Sequence, residues 1–116
     1  MASDARTYLW DALQAAERAM RFANGRDFES YVQDELLRSA VERQLEIVGE
    51  ALNHLRKLEP ATAEQLPELA AAIGLRNVLI HGYASVDNRL VWDVVSAHLP
   101  TLAVRLRTMQ RPAASP

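Results

Sequence analysis

Apolar residues recur at three- and four-residue spacings along almost the whole chain, and any fold must satisfy that helical period. Ala5, Leu9, Ala12, Leu13, Ala16, Met20 and Ala23 fall on one face of a first helix. Ser3 or Asp4 can cap its start, and Gly25 after Asn24 is a stop signal. Asp27 then opens a short element over residues 28–33. Asp34 caps the longest helix, expected to run to about Leu58, with Leu37, Val41, Leu45, Val48, Leu52 and Leu55 as its buried stripe. Glu59-Pro60 ends it. Thr62 and Gln65 have capping-box spacing and Pro67 suits a first turn, so the next helix is expected to start there and reach about Ile80, with Gly74 as an internal weak point. Ser85 or Asp87 caps the last helix. Its stripe is Val91, Val95, His98, Leu102, Leu106 and Met109, and Pro100 inside that pattern should kink or divide it.

No hairpin signal, repeat or linker interrupts this pattern, and 116 residues suffice for one core but not two. The expected fold is all-α, an antiparallel bundle of about five helices over residues 1–110, with a frayed, disordered tail at 111–116.

Composition removes several function classes. Without cysteine there is no disulfide framework, thiolate metal site or cysteine nucleophile. The histidines, His54, His81 and His98, lack metal-ligand spacing, and four scattered glycines supply no phosphate-cradling loop. Neither a metal nor a cofactor is expected. The longest nearly apolar run, Leu69 to Leu75, falls far short of the roughly 18 residues of a membrane span. The N-terminus, with Asp4 and Asp11, does not resemble a signal peptide, so a cytoplasmic location is expected. A net charge of -2 and a pI near 5.9 are not a basic nucleic-acid footprint. His98 is expected in the core and His54 in an exposed pair with Glu50. Glu42, Glu46 and Glu50 are expected to form a solvated face or part of an interface.

The informative segment is Arg76-Asn77-Val78-Leu79-Ile80-His81-Gly82-Tyr83. Asn77 and His81, four apart, share a helix face, so Asn77 can orient the imidazole. Arg76 and His81 are about 140° apart around an ideal helix. They converge only if Arg76 reaches across, or if a second copy of the motif faces the first. A permanent cation beside a titratable imidazole suits phosphodiester chemistry, since Arg neutralises phosphate charge and His moves a proton near neutral pH. Spacing alone leaves a bland reading open, in which His81 is a helix-end cap and Tyr83 a packing residue.

The longer string decides more. Residues 76 to 83, followed by Val86-Asp87 and Val91-Trp92, resemble the signature of the HepT-like family within the all-helical HEPN superfamily. Ala40-Val41-Glu42-Arg43 with Leu45-Glu46-Ile47-Val48-Gly49-Glu50-Ala51 resembles the family's long-helix motif, and His98-Leu99-Pro100 with Leu102 its C-terminal motif. The resemblance spans roughly residues 4 to 107. It implies a metal-independent endoribonuclease, the toxin of a toxin–antitoxin pair, acting as a homodimer. Arg76, Asn77 and His81 match the catalytic Arg-x4-6-His pattern. Tyr83 matches the tyrosine to which a minimal nucleotidyltransferase antitoxin attaches AMP. The implied partners are thus an RNA substrate, that antitoxin and a second copy of the chain, with a higher assembly with the antitoxin left open and no membrane. The other reading is a non-catalytic helical dimer that binds and regulates a nucleotidyltransferase.

Overall fold

A computed structural model describes residues 5–110, apart from the side chain of Tyr83. The proposed caps Ser3 and Asp4 and the tail 111–116 lie outside the described residues. Helix α1 (Ala5–Ala23) buries six alanines together with Leu9 and Leu13. Small side chains let neighbouring helices approach closely, and α1 packs against both α3 (Glu35–Leu58) and the C-terminal helix α7 (Leu99–Gln110). It runs antiparallel to α3, since Tyr8 stacks on His54 at 5.2 Å while Arg18 Nη1 donates to Gln44 Oε1 at 3.5 Å. Arg107 pairs with Glu17 at 2.6 Å, and Gln110 Nε2 donates to the Leu9 carbonyl at 3.0 Å, which ties α7 back to α1.

Local chemistry sets most of the boundaries. Asp27 and Ser30 form a reciprocal capping box at the start of α2 (Phe28–Gln33). Asp34 accepts the Leu37 N–H at 3.0 Å as the cap of α3, and Arg26 Nη2 holds the same carboxylate at 2.7 Å. These two contacts, the backbone one first, hold the Asp34 carboxyl below its usual value. The expected stripe of α3 is buried as drawn, with Val41, Leu52 and Leu55 fully enclosed. Each such side chain contributes about 1.5–3 kcal/mol of transfer free energy.

The segment after α3 differs from expectation. Pro60 takes the first position of a short helix, α4 (Pro60–Ala63), as its missing N–H allows. Thr62 lies inside that helix and donates to Glu59 Oε1 at 2.7 Å, so it is not a cap. Helix α5 (Leu69–His81) starts after Glu68 without a side-chain cap, and Pro67 precedes it. Asp87 caps α6 (Asn88–Asp93), accepting the N–H groups of Arg89 and Leu90 at 2.9 and 3.2 Å.

The Pro100 irregularity takes a specific form. Between α6 and α7, residues Val94–His98 make a π-helical turn, with the Leu99 N–H reaching the Val94 carbonyl five residues back. A wide turn relieves the clash a proline ring makes with the carbonyl four residues earlier. It also under-rotates the chain. Leu99, not His98, faces the core, and His98 is exposed, contrary to its expected burial. Among the described residues there is no strand, and no helix is long and apolar enough to cross a membrane.

Candidate active site

The motif segment occupies the last two turns of α5, which packs along α3. Gly49 makes that approach possible. A Cβ on Gly49 would stand 2.3 Å from Arg76 Cβ and 2.7 Å from the Ala72 carbonyl oxygen, far inside contact distance. The missing side chain lets the stem of Arg76 lie against α3, and Arg76 is half-buried there. Its guanidinium turns toward its neighbour, with Nη1 donating to Asn77 Oδ1 at 2.9 Å. Its Nε–H is buried and meets no acceptor among the described residues. Among the described residues Arg76 has no carboxylate partner, whereas Arg26, Arg43, Arg89, Arg105 and Arg107 each have one.

Asn77 and His81 are both exposed on the same face of α5, and among the described residues no hydrogen bond joins them. The expected orienting contact from Asn77 to the imidazole is replaced by one from Arg76 to Asn77. Among the described residues no hydrogen bond joins Arg76 to His81 either. His81 is the last residue of α5. The helix closes on Gly82, whose N–H donates to the Val78 carbonyl at 2.7 Å. A 3₁₀ turn, Tyr83–Ser85, follows, with the Ser85 N–H returning to the Gly82 carbonyl at 2.9 Å. The backbone of Tyr83 therefore sits directly beyond His81, while its side chain lies outside the described residues.

Helix α5 is apolar on nearly every side, yet Ala70, Ala71, Gly74, Asn77, Val78 and His81 are exposed. An all-round apolar helix normally lies buried. The glutamates of α3 divide. Glu50 is exposed and faces His54 at 3.8 Å, whereas Glu46 is partly buried beside Arg43 at 3.2 Å. Glu42 is also partly buried, and desolvation pushes its carboxyl up despite Arg38. Near it lies Tyr31, fully enclosed against Trp92, with a buried hydroxyl lacking a partner among the described residues and a phenol pushed up chiefly by burial. Among the described residues no group of three or more His, Asp or Glu side chains could hold a metal ion. Sequence reasoning gave Gly49 no role of its own. A glycine inside a long amphipathic helix is the signal that could have found it.

The fold and this stretch of α5 define a small all-helical domain that presents, among the described residues, an arginine without a carboxylate partner five residues before an exposed histidine. The particular family follows from comparison: residues 12–109 match the Ribonuclease HepT-like family, and the chain belongs to it. Its relatives include a candidate RNase of Methanocaldococcus jannaschii, 32% identical over 101 residues, which cover 85% of this chain and 90% of that protein. A candidate RNase of Caldanaerobacter subterraneus subsp. tengcongensis is 34% identical over 102 residues, 88% of this chain and 90% of the other. A protein of Thermococcus cleftensis named probable ribonuclease HepT is 33% identical over 110 residues, 90% of this chain and 94% of the other. No solved structure matches the chain.

Proposed function

We propose that the chain is a metal-independent endoribonuclease, the toxin of a pair whose antitoxin is a minimal nucleotidyltransferase. The observation that carries this reading is Arg76. A half-buried guanidinium that, among the described residues, has no carboxylate and one buried N–H without an acceptor, with Asn77 fixing its head, is a cation kept for an anion. His81, exposed five residues on, supplies the proton transfer. The RNA 2′-oxygen attacks the adjacent phosphorus as its proton is removed. The bond from phosphorus to the 5′-oxygen breaks, and that oxygen leaves with a proton. Products are a 2′,3′-cyclic phosphate and a 5′-hydroxyl. Arg76 stabilises the charge that builds on the phosphoryl oxygens. DNA, without the 2′-hydroxyl, stays uncut.

One chain offers one motif histidine for two proton transfers. A two-fold dimer on the exposed face of α5 would bring a second His81 beside the first and cover Ala70, Gly74 and Val78. Tyr83, two residues after His81, is the proposed site of AMP attachment. The added negative charge competes for Arg76, and the added bulk blocks RNA entry. A non-catalytic regulator of the same partner is the reading that the net charge of -2 favours.

Cleavage of a generic RNA separates the two. Wild-type protein is expected to cut in the presence of EDTA, and His81→Ala and Arg76→Ala not. Cutting that vanishes with chelator, or survives in His81→Ala, removes the mechanism. Native mass spectrometry checks the assembly: a dimer mass alone, then an AMP adduct after incubation with the cognate nucleotidyltransferase, ATP and magnesium. A strict monomer, or an adduct that persists in Tyr83→Phe, overturns the corresponding part.

A further inference from the structure

Arginine heads in this fold are held in two ways. Arg26, Arg43, Arg89, Arg105 and Arg107 each meet a carboxylate, which cancels most of their field at the surface. Arg76 and Arg56 are instead held by neutral asparagine oxygens. Arg76 Nη1 donates to Asn77 Oδ1 at 2.9 Å, and Arg56 Nη2 donates to Asn53 Oδ1 at 2.6 Å. An amide fixes the fork of a guanidinium and leaves its whole charge available to an anion. Arg56 is exposed, and among the described residues it has no carboxylate partner.

The two arginines meet on one side of α3. Gly49 seats the stem of Arg76, and Arg56 follows Gly49 by seven residues in the same helix. Seven residues are two turns, which return Arg56 to within about 20° of the Gly49 direction and about 10 Å further along the axis. The dipole of α3 favours cations in its last turn, and Lys57 needs no other reason. It does not account for Arg56, whose head turns back to Asn53 and away from the terminal carbonyls. In the other direction along this face stand Glu46 and Glu42, three and seven residues before Gly49, and they repel an anion. We infer that the RNA strand held at Arg76 runs along α3 toward its C-terminal end and places a second phosphate on Arg56. At about 3.4 Å of rise per nucleotide in a stacked strand, that phosphate is about three nucleotides from the one at Arg76. The inference rests on the ribonuclease reading for the identity of the strand, and Arg56 acts in binding alone.

Fully 2′-O-methylated RNA, which has no 2′-hydroxyl to attack, is the probe. Its binding to the full chain is followed by fluorescence anisotropy across a length series and a salt series. Wild-type affinity is expected to rise about five- to tenfold once the probe reaches about four nucleotides. Arg56→Gln should remove that step and flatten the dependence of log affinity on log salt by about 0.7, the share of one phosphate in a single strand. Arg56→Lys should restore the salt dependence, since the charge returns. Arg18, held by Gln44 at 3.5 Å on the side of α3 that faces α1, is the control, and Arg18→Gln should keep the step. No binding by the wild type, a step that survives Arg56→Gln, or one lost equally in Arg18→Gln would each overturn the proposal. Cleavage of unmodified RNA by the same preparations separates the two readings. A wild type that cuts RNA but binds it without Arg56 removes the strand path and leaves the ribonuclease. One that binds through Arg56 and cuts nothing keeps the path and removes the ribonuclease.

Discussion

Helices α1 and α5 are built from similar residues and put to opposite uses. Of the nineteen residues of α1, eight are buried, and its polar side chains collect on the other face. Of the thirteen residues of α5, only Leu69, Ile73, Leu75 and Leu79 are buried, although hardly any of the helix is polar. One helix spends its apolar surface inside its own fold, while the other keeps much of it in contact with solvent. The proposed catalytic string, residues 76–83, begins on the second and runs just past its end. On the proposed function, burial marks what holds the chain together, and apolar exposure beside Arg76 marks what it holds out to a second copy and to RNA.

Substitutions can break that comparison. The largest effect is expected at His81, where alanine should slow RNA cleavage by roughly 10²–10⁴ while thermal unfolding stays at the wild-type temperature. A matching fall in stability would place His81 with the scaffold. Leu106, fully enclosed where α7 joins the core, should behave in the opposite way. Leu106→Ala is expected to cost about 2–5 kcal/mol in urea unfolding, a loss of less than 1 kcal/mol being the outcome that contradicts it. Gly49→Ala joins the two regions. The new methyl pushes Ala72 and Arg76 off α3, at a cost of about 1–3 kcal/mol, and cleavage should fall by more than Leu106→Ala causes under conditions where both variants are folded. Equal cleavage by wild type and Gly49→Ala would show that Arg76 needs no such seat.

The smallest effect is electrostatic. Asp34 has a carboxyl held below its usual value of 3.8 by the Leu37 N–H and then by Arg26. Its ionised form therefore stabilises the fold above that value, and the contribution is lost as pH falls through the lower folded-state value. Asn in its place keeps an acceptor for the cap but loses the charge. Asp34→Asn should unfold slightly earlier than wild type at neutral pH, and the two melting curves should merge in acid. A gap that widens in acid would reverse the assigned sign.

Sequence revealed those features whose cause is local. Asp27, Asp34 and Asp87 cap because their side chains reach N–H groups two or three residues on, which spacing alone states. The stripe of α3 was equally legible, since a regular helix carries its period unchanged from Leu37 to Leu55. Features set by a second element were not. The value of Gly49 depends on Ala72 and Arg76 arriving from another helix. Asn77 has one potential partner at the preceding residue and one four residues on, and spacing could not choose between them. His98 was misplaced because the π turn breaks the period that the assignment assumed.

That turn also gives the C-terminal helix an angular joint. A single surplus residue between Val94 and His98 sets how far Trp92, at one end, is rotated from Leu102 and Leu106 at the other. Deleting one residue there would leave a continuous helix, yet it would swing one end by about 100° against the other. Either Trp92 would leave Tyr31, or the α7 leucines would leave the core. The extra residue thus works as a phase setting, aligning two contact surfaces that an uninterrupted α-helix would hold out of step.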